Sequence, residues 1–80
     1  MRQDGRQLRL AEYTREFVEA DWCRKGHVGY VLEGSFELEF DGGRVTLQAG
    51  DGIFIRAGEA SKHKARVLSE VVRVVLVEEC

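Results

Sequence analysis

Asp21, Cys23 and His27 lie close together in the chain, and the second of its two histidines, His63, follows the glycine turn at Gly58. All four are residue types that bind metal ions. Asp21 and Cys23, two positions apart, share a face of an extended strand, and a turn at Lys25-Gly26 brings His27 back beside them. Cys23 with either histidine also has the makings of a thiolate nucleophile pair. Nothing in the chain, however, offers a helix N-terminus to lower the thiol pKa, or an oxyanion hole. Bland readings stand beside these: an inward cysteine is commonly a small buried hydrophobe, His27 a hydrogen-bonded interior residue, and Asp21 a rim residue. The glycines at 42, 43, 50 and 52 are turn glycines, and none opens a helix as a phosphate cradle requires.

The elements that must position these side chains are strands. Apolar and polar residues alternate along the chain, and no segment sustains the i, i+3, i+4 pattern of a helix. The pattern predicts strands over 7–13, 16–23, 27–32, 36–40, 44–48, 53–55, 61–68 and 71–77, with Asp41-Gly42-Gly43 as the clearest hairpin turn. Short strands between closely spaced turns call for an all-β sandwich or barrel, and closing the sheet removes its exposed edges. Phe36, Leu38, Phe40, Val45, Leu47, Val75 and Val77 are the expected inward set. Trp22 and Tyr30 fall on the outward parity, to pack against the other sheet or a subunit. Glu33, Glu37 and Glu39 alternate with apolar residues as a solvated outer face. The tail 71–77 is apolar on both faces, which suggests burial inside the barrel on one side and against a partner subunit on the other.

Eighty residues make one domain, 1–80, and a chain of that size buries only about 60% of its unfolded surface. With 44% hydrophobic and 32% charged residues and a net charge of −2, the composition is that of an ordinary globular domain. A basic stripe is missing, since Lys62, Lys64 and Arg66 alternate along a strand as a solvated face, so nucleic acid is not the expected partner. No apolar run reaches the roughly 18 residues needed to cross a bilayer, so no membrane partner is expected either. The location implied is cytoplasmic, with Cys23 and Cys80 as reduced thiols.

Two glycine-framed segments, Tyr30-Val31-Leu32-Glu33-Gly34 and Gly50-Asp51-Gly52-Ile53-Phe54-Ile55-Arg56-Ala57-Gly58, give the chain a resemblance to the cupin family over residues 17–77. The resemblance implies a double-stranded β-helix, or jelly-roll, barrel. Gly34 matches the glycine that closes the first cupin motif, and Gly50, Asp51 and Gly58 match the frame of the second. Arg56 stands where the family usually has proline. By the family's spacing, the glutamate ligand position falls on His27 and the two histidine positions fall on Asp21 and Cys23. The second-motif histidine position holds Ser61, with His63 one pleat further on the same face. The ligand set so implied is His63, Cys23, His27 and Asp21. Sulfur and two nitrogens favour zinc, with iron, nickel or copper next, over magnesium or calcium. The implied function is a small stand-alone cupin that holds a divalent metal ion, with a small-molecule ligand in the barrel mouth. The alternative is a metal-free cupin that binds or senses a small molecule. In either case a homodimer is expected, because so thin a domain gains much by pairing.

Overall fold

The computed structural model describes residues 2–79. Its strands are Arg2–Gln3 (β1), Arg6–Thr14 (β2), His27–Glu33 (β3), Ser35–Phe40 (β4), Gly43–Gln48 (β5), Gly52–Ile55 (β6), His63–Val67 (β7) and Val71–Glu79 (β8), with a 3-10 turn at Glu59–Ser61 before β7. They form two antiparallel sheets, one ordered β1-β2-β8-β3-β6 and the other β5-β4-β7. This is the all-β architecture expected from the alternation, and the jelly roll that the family resemblance implies. The hairpin between β4 and β5 turns at Asp41 and Gly42 and pairs Phe40 with Gly43.

The core lies between the sheets. Val31 and Val72 are its most deeply buried side chains, joined by Ala11, Phe36, Leu38, Ile53, Ile55, Val67, Val74 and Leu76. Phe40 and Leu47 pack against this cluster, so four of the seven expected inward residues are at or beside the core. Val45 faces the same way as its partner Leu38 but is 42% exposed, because β5 is the edge of its sheet. Val75 and Val77 are corrections of parity: Val72, Val74 and Leu76 point inward, and Val75 and Val77 lie on the outer face.

A second correction concerns residues 16–23, which do not form a regular strand. The segment runs beside β7, touching it through isolated bridges at Val18–Arg66 and Cys23–His63. Val67 N–H donates to Phe17 O at 3.2 Å and Glu19 N–H donates to Ala65 O at 3.0 Å. The Ala65 N–H then bonds to the Glu19 carboxylate at 2.9 Å. A side chain thus takes the place of a backbone carbonyl, and the ladder breaks there. The segment still covers the edge that β7 would otherwise expose.

The small sheet turns an ionic face outward. Glu37 stands between Thr46 and Arg66, and Glu39 between Arg44 and Lys64, an arrangement in which opposite charges face one another across strands. The face is outward as expected for these glutamates, but Glu37 and Glu39 are half-buried there. The large sheet presents the opposite character. Leu10, Val75 and Tyr30 form one row across its strands, Val77, Val28 and Phe54 form another, and Leu10 and Phe54 are 66% and 76% exposed. Tyr30 lies on the outward parity as expected.

Gly34 makes the link between β3 and β4. Its φ is +82°, and a Cβ there would collide with the carbonyl oxygen of Val71 and with Ser69 Oγ. Ser69 has no room to retreat, since its hydroxyl accepts from Ser35 N–H at 2.9 Å and donates to Val71 O at 2.7 Å. The second glycine frame is bonded to the same strand, with Gly50 N–H to Val31 O and Val31 N–H to Asp51 O, each at 2.9 Å. Gly34→Ala is therefore expected to destabilise the domain by at least about 2 kcal/mol, from left-handed backbone plus steric collision. Urea unfolding of the two proteins measures this, and equal midpoints would contradict it.

Candidate metal centre

His27 is the first residue of β3, paired with Ile55, and shares the inward parity of Gly29 and Val31. His63 is the first residue of β7, opposite Phe40. Cys23 reaches the same place from the irregular segment. Cys23 N–H donates to His63 O at 2.7 Å and His63 N–H donates to Cys23 O at 2.9 Å, so backbone bonds fix the two residues side by side. The approach to His63 is a tight turn, in which Gly58, at φ +120°, donates its N–H to Arg24 O at 2.9 Å. The turn that follows Gly58 displaces the histidine to position 63 and anchors it to the Cys23 segment.

The sulfur of Cys23 is 3.7 Å from His27 Nε2. Donor atoms of Cys23, His27 and His63 all lie within 4.8 Å of one another. In a tetrahedral zinc site, Zn–S and Zn–N bond lengths place a sulfur and a nitrogen about 3.6 Å apart. The Cys23–His27 separation therefore fits a shared metal ion. Asp21, the fourth residue implied by the family spacing, is exposed and lies outside the group that the fold brings together.

Burial and partners decide which ring nitrogens are available. His63 is 2% exposed, and its Nδ1–H donates to Ser61 O at 3.0 Å. An imidazole nitrogen facing a carbonyl must carry the proton, which leaves the Nε2 lone pair free. The ring of His27 meets that of His63 edge-on at 5.2 Å between centroids, and Phe40 lies 6.0 Å from His63. His27 Nδ1 is buried, and Glu78 Oε2 lies 2.7 Å away, off the axis of a well-formed hydrogen bond. The other oxygen of Glu78 accepts from Arg9 Nε at 2.7 Å. Burial pushes the Glu78 carboxyl up, but the Arg9 hydrogen bond and charge, aided by His27, more than offset this and leave it below its ordinary value.

Glu78 and Arg9 were not anticipated from sequence. The signal was Arg73, the lone charge within 71–77: placing it outward makes every even position of β8 inward, Glu78 included. Trp22 lies under two lysines, with Lys64 Nζ 4.6 Å and Lys62 Nζ 5.2 Å from its ring centroid. Those lysines are half-buried, a departure from the fully solvated face expected of them. Cys23 is a free thiol, and Cys80 lies outside the described residues.

The three donors open into a cavity of about 1010 Å³ between the sheets, with Phe36, Leu38 and Val72 among its apolar walls. Arg6, Arg9, Arg24 and Lys25 also line it together with Glu19 and Glu78, and Arg9 is ion-paired with Glu78 and Arg24 with Glu59.

A two-sheet β-barrel with imidazole and thiol donors gathered at one mouth defines the class to which this chain belongs. The model of the cupin domain family matches residues 24–78, and the chain is a member of that family. In three dimensions it is similar to a cupin-2 domain containing protein from Shewanella frigidimarina, with a TM-score of 0.79 and 25% identity over 100% of this chain and 76% of that one. Protein NMB1881 from Neisseria meningitidis is similar with a TM-score of 0.74 and 19% identity over 100% of this chain and 79% of that one. The EutQ protein of Clostridium difficile follows at 0.72 and 19%, over 92% of this chain and 56% of that one. No curated protein matches the chain in sequence. Among the described residues no helix is long and apolar enough to cross a membrane.

Proposed function

We propose that this cupin binds a divalent metal ion, zinc by the softness of its donor set, through Cys23, His27 and His63, in a mouth that accepts a small molecule. The observation that carries the reading is the 3.7 Å approach of Cys23 Sγ to His27 Nε2 beside buried His63. Iron, nickel and copper suit the same donors. Three protein ligands leave one tetrahedral position for water or ligand, and a zinc ion bound so would supply Lewis-acid polarisation. The chain's own residues do the rest. Apolar walls hold the body of a ligand and exclude water, while Arg6 and Lys25 at the rim favour an anionic group on it. A thiolate ligand suits a reducing compartment such as the cytoplasm.

Equilibrium dialysis of tag-free protein against zinc tests the reading. Roughly one zinc per chain is expected, with affinity falling at least about a hundredfold in Cys23→Ala and in His63→Ala. Binding well below one equivalent, or unchanged affinity in both variants, would remove the metal.

The same protein is a homodimer in this reading, paired through the outer face of the large sheet. The apolar rows Leu10–Val75–Tyr30 and Val77–Val28–Phe54 carry no charge. The next row, Glu12–Arg73–Glu33, is internally ion-paired, as a polar rim would be. Such a face is self-complementary about a two-fold axis, whereas the ionic outer face of the small sheet favours water. Phe54→Lys is expected to weaken the dimer at least about tenfold without loss of fold. Sedimentation equilibrium reads this, and a wild-type monomer at every concentration would contradict it.

A further inference from the structure

Three side chains form an inward-facing row across the middle of the large sheet. Arg9 comes from β2, Glu78 from β8 and His27 from β3, with β8 between the other two strands. Glu78 and His27 lie one step beyond the Val28–Val77 pair, and Arg9 lies one step from the Gln7–Glu78 pair along the same face. Glu78 is the acid of the row: its Oε1 accepts from Arg9 Nε and its Oε2 lies against His27 Nδ1 as a charge contact off the hydrogen-bond axis, each at 2.7 Å. A carboxylate this far inside, 12% exposed on its side chain, costs free energy unless its lone pairs are used. Arg9 uses Oε1, and the charge on Oε2 faces one atom of one ring, His27 Nδ1.

We propose that Glu78, held in place by Arg9, is a positioning residue that fixes the tautomer and orientation of His27, so that the ring keeps its proton on Nδ1 and presents Nε2 to Cys23 and His63. The consequence for metal affinity rests on the metal reading above. A neutral imidazole in water favours the proton on Nε2, which would block the nitrogen that faces Cys23. A carboxylate acceptor at Nδ1 reverses that preference, because a proton on Nδ1 faces negative charge while a lone pair there would be repelled by it. Carboxylate partners of this kind also raise the basicity of a ligating imidazole. His63 reaches the same state by another route, its Nδ1–H bonded to Ser61 O. Both histidines then keep the same nitrogen, Nε2, free of a proton. Arg9 contributes by holding the Glu78 carboxylate at an angle from which its second oxygen reaches the ring.

Two measurements on Glu78→Ala and Glu78→Gln test this. The first is nitrogen-15 NMR of the metal-free protein, above the ordinary histidine titration range, which reads where each imidazole proton resides. Wild-type His27 is expected as Nδ1–H and Glu78→Ala as Nε2–H. Glu78→Gln, whose amide oxygen still accepts, is expected to keep Nδ1–H. The His63 tautomer, fixed by Ser61, stays unchanged in every folded variant and serves as the internal control. Glu78→Val, a better strand former, replaces the alanine variant should that fail to fold. The second measurement is zinc affinity by chelator competition, expected to fall about 10–100-fold in Glu78→Ala and much less in Glu78→Gln. An Nε2–H tautomer in the wild type, or an unchanged tautomer or zinc affinity in folded Glu78→Ala, overturns the proposal. If the wild type binds no zinc, the metal reading fails while the tautomer measurement still decides the role of Glu78.

Discussion

The reciprocal backbone hydrogen bonds between Cys23 and His63 are the constraint on which this molecule's candidate site depends. They fasten an irregular segment to the edge of a three-stranded sheet at the one point where both residues carry donor side chains. Without them Cys23 would sit on a loop with no fixed distance to either histidine. With them the thiol is placed by main-chain geometry, which is stiffer than any side-chain contact, and His27 is brought across from the opposite sheet through β3. The site thus bridges the two sheets, with one imidazole from each and a thiol from the segment that covers the edge. Its geometry reports on the closure of the whole barrel.

Around that centre, the two sheets divide the solvent-facing work unequally. The small sheet covers its outer face with opposite charges paired across strands, so water is its natural neighbour. The large sheet leaves two uncharged rows in the open and confines its ionic residues to a bordering row. A thin domain buries too little surface to afford wasting apolar area. The contrast between faces is therefore informative about association in a way that overall composition is not. Arg73 sits at the meeting point of both themes, since it pairs with Glu12 and Glu33 on the outer face and marks the parity that sends Glu78 inward.

Much of the fold was legible in the sequence because strand alternation and glycine turns are local signals. Gly34 and the frame from Gly50 to Gly58 were read as structural punctuation, and the structure gives the reasons: a positive φ with no space for a Cβ at Gly34, and main-chain bonds from Gly50 and Asp51 to Val31. What local pattern carried least was facing and partnership. The run from 71 to 77 is apolar except for Arg73, so Arg73 is the single local mark of facing, and it is this mark that sends Val72, Val74 and Leu76 inward and Val75 and Val77 outward. Residues 16–23 alternate like a strand, yet the Glu19 carboxylate replaces a backbone acceptor and breaks the ladder, a long-range event that no window of sequence displays. Counting from Gly34 and Gly58 led to Cys23, His27 and His63, which the fold gathers. The same count led to Asp21, which stays exposed. Arg73 marks the inward facing of Glu78, but the Glu78 partners Arg9 and His27 are set by strand register across β2, β8 and β3, which no neighbour in the chain displays.

Whether Cys23, His27 and His63 act together as a ligand set is decided by cobalt substitution. Cobalt(II) reports coordination number through the intensity of its visible bands, and a bound thiolate through a near-ultraviolet charge-transfer band. Intense four-coordinate visible bands and a thiolate band are expected in the wild type. Cys23→Ser should lose the charge-transfer band, and His63→Ala should lose the four-coordinate pattern. A weak six-coordinate spectrum in the wild type, or a thiolate band that survives in Cys23→Ser, would contradict it.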